Sequence, residues 1–200
     1  MLSQFIGKIC KAILDLIVAA MAALRINPNL LTFLGFLITI MAAVCLARGK
    51  FWQAGLVIML AGIFDMLDGR VARTTNSVTK FGAFFDSVLD RYSDIAMFLG
   101  LMIYYSNAQR LSYTLLSGVV LMGAVMTSYT RARAESLIPK CKVGFMERPE
   151  RLVLMILGAL TDRMAPVLWV MAFFSNLTVI HRIAYTWKEA SRLKQPASSH

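Results

Sequence analysis

The chain has 200 residues, 58% of them hydrophobic, with a mean hydropathy of +0.64 and a formal charge of +10. A soluble domain of this size carries about 45–50% apolar residues, so the excess is expected to face lipid. The apolar runs leave little surface for a soluble basic face, which argues against nucleic acid; the basic residues are expected to set membrane orientation and to meet anionic headgroups. Cys10, Cys45 and Cys141 form an odd set without CxxC spacing and read as small apolar residues.

The predicted elements are all helical. Gln4, Lys8, Lys11 and Asp15 share one helical face of residues 1–26, and Phe5, Ile6, Ile9, Ile13, Leu16 and Ile17 fill the rest. That pattern predicts an amphipathic helix lying in the membrane interface, not a cleaved leader. After the turn Asn27-Pro28-Asn29, six transmembrane helices are expected within residues 28–186. They are Leu30–Ala47, Phe51 to about Leu67, about Phe81–Tyr105, about Leu111–Thr130, a short fifth around Leu152–Leu160, and Pro166 to Ile180. Residues 191–200 form a polar tail expected to fray. The whole, residues 1–200, reads as a single all-α integral membrane domain.

Lysine and arginine set the orientation. They crowd the amino terminus (Lys8, Lys11, Arg25), the 2–3 connection (Arg70, Arg73, Lys80), the 4–5 connection (Arg131, Arg133, Lys140, Lys142, Arg148, Arg151) and the carboxyl terminus (Arg182, Lys188, Arg192, Lys194). The other side holds Arg48, Lys50, Arg110 and Arg163. A multi-pass protein of the cell (plasma) membrane with both termini cytoplasmic is expected.

The segment with most chemistry is Asp65-Met-Leu-Asp68-Gly69-Arg-Val-Ala72-Arg73, followed after eight residues by Gly82-Ala-Phe-Phe-Asp86-Ser-Val-Leu-Asp90. Asp65 and Asp68 are i, i+3; Asp86 and Asp90 are i, i+4; each pair shares a helix face. Four carboxylates at membrane depth repel one another, and hard oxygen ligands suit Mg²⁺, Mn²⁺ or Ca²⁺. Two such ions could clamp a phosphoryl displacement. The small residues Gly69, Ala72 and Gly82 would let a ligand approach the backbone. Alternatively, the aspartates pair with Arg70, Arg73 and Arg91 and only orient helices.

The pattern D-x2-D-G-x2-A-R-x8-G-x3-D-x3-D resembles the signature of the CDP-alcohol phosphotransferases, and the helical plan is similar over nearly the whole chain. The resemblance implies a CDP-activated lipid donor, an alcohol acceptor, release of CMP and a homodimer. It implies that Asp65, Asp68, Asp86 and Asp90 hold the metals, a pair of Mg²⁺ or Mn²⁺ ions. Asp65, Gly69, Ala72, Arg73 and Gly82 would border the CDP, and Asp90 would be the catalytic base.

Ser128-Tyr-Thr-Arg131-Ala-Arg133-Ala-Glu135 and Gly144-Phe-Met-Glu147-Arg148-Pro149-Glu150-Arg151 flank the 4–5 connection. Arginine suits bidentate phosphate binding; the alternative is an orientation signal with Glu–Arg pairs at a helix start. With Asp90-Arg-Tyr-Ser-Asp94, these stretches resemble the subgroup that joins CDP-diacylglycerol, or an ether analogue, to inositol phosphate. By that resemblance Arg131, Arg133, Arg148, Arg151 and, more weakly, Arg182 bind the acceptor phosphate. Glycerol 3-phosphate is the alternative acceptor. Asp94 would support Arg91 or Arg131. From other classes, a cation transporter or a lipid-binding scaffold remain alternatives; a conduction path would need polar residues that the outer halves of spans 1, 5 and 6 lack.

Overall fold

The computed structural model describes residues 15–24 and 26–194. Those residues form helices only, joined by short turns and, between Ala134 and Arg148, by a longer loop. Helix α1 is described over residues 15–23. It is followed by α2 (Pro28–Ala47), α3 (Phe51–Thr74), α4 (Lys80–Asn107), α5 (Leu111–Ala134), α6 (Arg148–Leu160) and α7 (Met164–Lys194). Most of the expected amphipathic segment, residues 1–14, lies outside the described residues. In the part described, Val18 packs with Leu31, Leu67 and Val71, and Asp15 pairs with Arg70 at 3.3 Å.

The helix ends follow from local chemistry. Asn27 accepts the Asn29 N–H at 3.0 Å, and Pro28 opens α2 without an orphaned donor. Thr79 accepts the Gly82 N–H at 2.9 Å and caps α4. Glu147 and Glu150 form a reciprocal capping box at the start of α6. Residues in left-handed backbone conformations close four turns: Gly49, Asn76, Gln109 and Asp162.

Neighbour by neighbour, the helices close a ring: α2 lies against α3 and α4, α4 against α5, α5 against α7, α7 against α6, and α6 against α3. The main apolar core fills one end of the ring and draws on all six helices, from Leu46 and Ile58 through Met97, Leu101 and Val120 to Met155 and Leu168. The other end holds the charged residues of α3, α4, α5 and α6. Gly100 allows a close crossing, since a Cβ there would collide with the Ala43 carbonyl oxygen. On the outside, Leu37, Met41, Trp52, Met59, Ile103, Leu115, Met122, Trp169 and Phe173 are exposed, an apolar girdle suited to lipid.

Three of the described helices are long and apolar enough to cross a membrane: Pro28–Ala47, Leu111–Ala134 and Met164–Leu193. Helices α3 and α4 have the length but carry the aspartates, and α6, with 13 residues, spans only about 20 Å. The expected boundaries shift most in α3 and in α7, which runs past the expected end at Ile180. Helix α3 continues past Leu67 to Thr74, because Val71 is buried with Val18, Leu31 and Leu67 although the charged residues around it end the apolar run. Helix α7 runs through Ser191 to Lys194, so the start of the tail is helical where fraying was expected; residues 195–200 lie outside the described set.

Candidate active site

The turn 75–79 leads from α3 to α4, which lie on either side of α2, so that their aspartates converge across the polar end of the ring. Asp65, Asp68 and Asp86 each present a carboxylate oxygen within 4.8 Å of the others. Asp68 is buried, and its Oδ2 has no hydrogen-bond partner among the described residues. A buried carboxylate oxygen without a donor is costly, and three hard oxygen donors at this spacing fit a divalent cation such as Mg²⁺ or Mn²⁺.

Asp90 stands beside this trio. Its Oδ1 accepts from Arg148 Nη1 at 2.6 Å, and the same Nη1 meets Asp65 Oδ1 at 2.8 Å. One guanidinium from α6 therefore bridges α3 and α4 and offsets part of the carboxylate repulsion. The pairings expected from sequence differ. Arg70 turns away to Asp15, Arg91 lies 3.9 Å from Asp90 and donates to the Ser87 carbonyl, and Arg148, remote in sequence, is the main counter-ion.

Cavities open on either side of the aspartates. One, of about 290 Å³, is lined by Gly69, Ala72, Arg73 and Gly82 together with Asp68 and Asp86. A side chain at Gly82 would press on Asn29 Oδ1 and Thr79 Oγ1, each 3.1 Å from its Cβ. Asp65 does not line this space. It faces a narrow cleft shared with Asp68, Asp90, Thr32, Ser93 and Arg148. Thr32 and Asn29, not singled out from sequence, also border the first cavity. A signal for Thr32 was present: Thr32, Gly35, Thr39, Ala42 and Leu46 recur at helical spacing and form the buried face of α2.

The other cavity, of about 410 Å³, is basic. Asp90, Arg91, Arg131, Arg148, Arg151 and Arg182 line it with Glu135 and Glu147. Arg131 Nη1 reaches both Glu147 oxygens at 3.3 Å, and Arg182 Nη2 reaches Glu147 Oε1 at 2.5 Å. Arg182 is buried and also donates to the Val143 and Thr127 carbonyls, tying the loop before α6 to α5 and α7. Thr178 Oγ1 accepts the Phe145 and Met146 N–H groups and adds to that tie. Arg151 pairs with Asp94 at 2.5 Å, both buried, so Asp94 supports Arg151 and not Arg91 or Arg131. Arg133 is separated from the rest: two residues past Arg131, it is turned by about 200° and lines a groove on the far side of α5.

The family model for CDP-alcohol phosphatidyltransferase matches residues 25–187, more than half of the chain. The chain belongs to the CDP-alcohol phosphatidyltransferase family. This transferase is 35% identical over 184 residues to archaetidylinositol phosphate synthase of Pyrococcus horikoshii, covering 92% of this chain and 95% of that protein. It is 31% identical over 183 residues to phosphatidylinositol phosphate synthase of Mycobacterium tuberculosis, covering 86% and 84%. A crystal structure of the M. tuberculosis phosphatidylinositol phosphate synthase with CDP-DAG bound superposes with a TM-score of 0.84 at 28% identity, covering 93% of the transferase and 99% of that chain. Another structure of that enzyme, in complex with manganese and citrate, gives a TM-score of 0.79 at 28% identity and covers 90% and 92%.

Proposed function

We propose that this transferase moves a phosphatidyl-type group from CDP-diacylglycerol, or an ether analogue, to a phosphorylated alcohol, inositol phosphate, and releases CMP. The observation that carries the reading is a carboxylate cluster standing between a cavity lined by small residues and a basic cavity. The relatives named as inositol phosphate synthases support the acceptor, and the CDP-DAG and manganese complexes of the mycobacterial enzyme support the donor and the metal.

In this reading Asp65, Asp68 and Asp86 hold Mg²⁺ or Mn²⁺, and Asp90 completes the set for a second ion. Bound metal supplies positive charge that offsets the diphosphate and stabilises CMP as a leaving group. Gly69, Ala72 and Gly82 leave room for CDP, and Arg73 contributes a cation beside it. Asp65 borders the CDP from the cleft side. Arg131, Arg148, Arg151 and Arg182 receive the acceptor phosphate. Asp90, oriented by Arg148, takes the proton of the acceptor hydroxyl. The hydroxyl oxygen bonds to the phosphatidyl phosphorus, and the bond from that phosphorus to the oxygen leaving with CMP breaks.

The placement proposed is a single domain over residues 1–200 in the plasma membrane, with residues 1–26 in the interface. Six spans lie within residues 28–186, both termini are cytoplasmic, and the site opens to the cytoplasm. The family resemblance supports a homodimer. The test supplies purified protein with labelled CDP-diacylglycerol, Mg²⁺ or Mn²⁺, and inositol 1-phosphate, glycerol 3-phosphate, serine or inositol in turn. CMP release is expected with inositol 1-phosphate and not with free inositol, and excess EDTA is expected to abolish it. Full turnover in EDTA, or equal use of free inositol, overturns the reading.

A further inference from the structure

Arg133 is set apart from the other arginines of the 4–5 connection by what it touches. Arg131, Arg148, Arg151 and Arg182 each meet a carboxylate. Arg133, exposed, has one side-chain hydrogen bond among the described residues, from Nη1 to Ser136 Oγ at 3.4 Å. It stands at the rim of a groove of about 310 Å³ between the end of α5 and α7, whose other walls include Tyr129, Leu137, Ile183, Thr186 and Trp187. Tyr129, Leu137, Ile183 and Trp187 are all more than half exposed, so the groove is apolar and open.

Its depth follows from helix geometry. Helices α5 and α7 are two of the three that are long and apolar enough to cross a membrane. At 1.5 Å per residue, Arg133 lies about 33 Å along α5 from Leu111, and Trp187 lies about 35 Å along α7 from Met164. A hydrocarbon core is about 30 Å thick, so both side chains stand just beyond it on the same side, at headgroup level. Tryptophan and tyrosine favour that layer, and an arginine there attracts phosphate.

We propose that this groove binds one anionic membrane phospholipid, with the headgroup phosphate on Arg133 and the glycerol and upper acyl chain along Ile183, Leu137 and Trp187. The groove is separate from the donor and acceptor cavities, although Arg182 lines both it and the basic cavity. Charge decides the occupant: a zwitterionic lipid would leave its ammonium group beside an arginine that meets no carboxylate among the described residues.

The test uses the full chain with Trp52→Phe and Trp169→Phe, leaving Trp187 as the one tryptophan. It is placed in nanodiscs containing brominated phosphatidylglycerol or brominated phosphatidylcholine, and fluorescence quenching is followed against lipid fraction. One basic residue near the surface is worth about a fivefold preference. Half-quenching is therefore expected at about a fivefold lower fraction of the anionic lipid. Arg133→Gln should abolish that preference, and Arg133→Lys should keep part of it because the charge remains. A preference that survives Arg133→Gln unchanged, or equal quenching by both lipids in the parent, overturns the proposal. So does protection of Trp187 from both lipids, which would place a second copy of the chain in the groove.

Discussion

Removing Asp94 should destabilise the protein more than removing any single exposed charge. Arg151 and Asp94 join α6 to α4 at 2.5 Å, with side chains 2% and 5% exposed. Among the described residues, Arg151 keeps one polar contact in Asp94→Ala, its Nη1 bond to the Met146 carbonyl at 3.3 Å, while its Nε already has no partner. Breaking one side of a buried pair costs about 3–5 kcal/mol, because the other charge stays buried and uncompensated. At about 2–4 °C per kcal/mol for a chain of this size, Tm should fall by roughly 6–20 °C. Scanning fluorimetry of the full chain in detergent micelles reads this directly. The variant Asp94→Leu with Arg151→Met should regain most of the stability, since a packed apolar pair replaces a paired charge at little cost. It should still show a raised acceptor KM if Arg151 also receives the acceptor phosphate. A Tm for Asp94→Ala within 2 °C of the parent, or a double variant as unstable as the single one, refutes the account of this pair.

Two further outcomes concern the reaction. Asp90→Asn should lose turnover while CDP-diacylglycerol binding survives better than in Asp68→Asn, because a base acts in the chemical step and Asp68 belongs to the converging trio; equal loss of donor affinity in both, by equilibrium binding, contradicts the division. Arg131→Ala should raise the KM for inositol 1-phosphate by about 10- to 150-fold and leave the donor KM nearly unchanged, and steady-state CMP release at varied acceptor checks it; an unchanged acceptor KM counts against the phosphate pocket.

Spacing within a helix was legible in the sequence, and so was the convergence of the two faces, although α3 and α4 meet across α2 and not as a tightly packed hairpin. Asp65 with Asp68 and Asp86 with Asp90 had to share faces, and three of those carboxylates meet. The extent of α3 was less legible, because the apolar run ends near Leu67 whereas the helix runs on to Thr74; hydropathy marks where lipid contact ends, not where helical hydrogen bonding ends. The split of Arg131 from Arg133 was readable from helical phase alone, and grouping the arginines by sequence proximity missed it. Arg148 with Asp65 was not readable: they are 83 residues apart, and their contact depends on α6 packing against α3.

Four arginines of the basic cavity share a further property that only the assembled ring supplies. Arg148 is held by Asp65 and Asp90, Arg151 by Asp94, and Arg131 and Arg182 by Glu147. Every one of these partners lies on another helix or at a helix cap, so the ring that brings the aspartates of α3 and α4 together also aims the guanidinium groups. Fixed donors bind a phosphate without first losing rotamer freedom, and that favours positioning. The same carboxylates oppose binding, since they neutralise much of the charge that attracts an anion. Glu147 is where the two effects meet: it fastens Arg131 and Arg182, caps α6, and borders the cavity. A phosphate entering there must share those two arginines with Glu147 or displace it. A divalent anion brings more charge to that competition than a single carboxylate does, which favours a phosphorylated acceptor over an acceptor bearing only a carboxylate or hydroxyl groups.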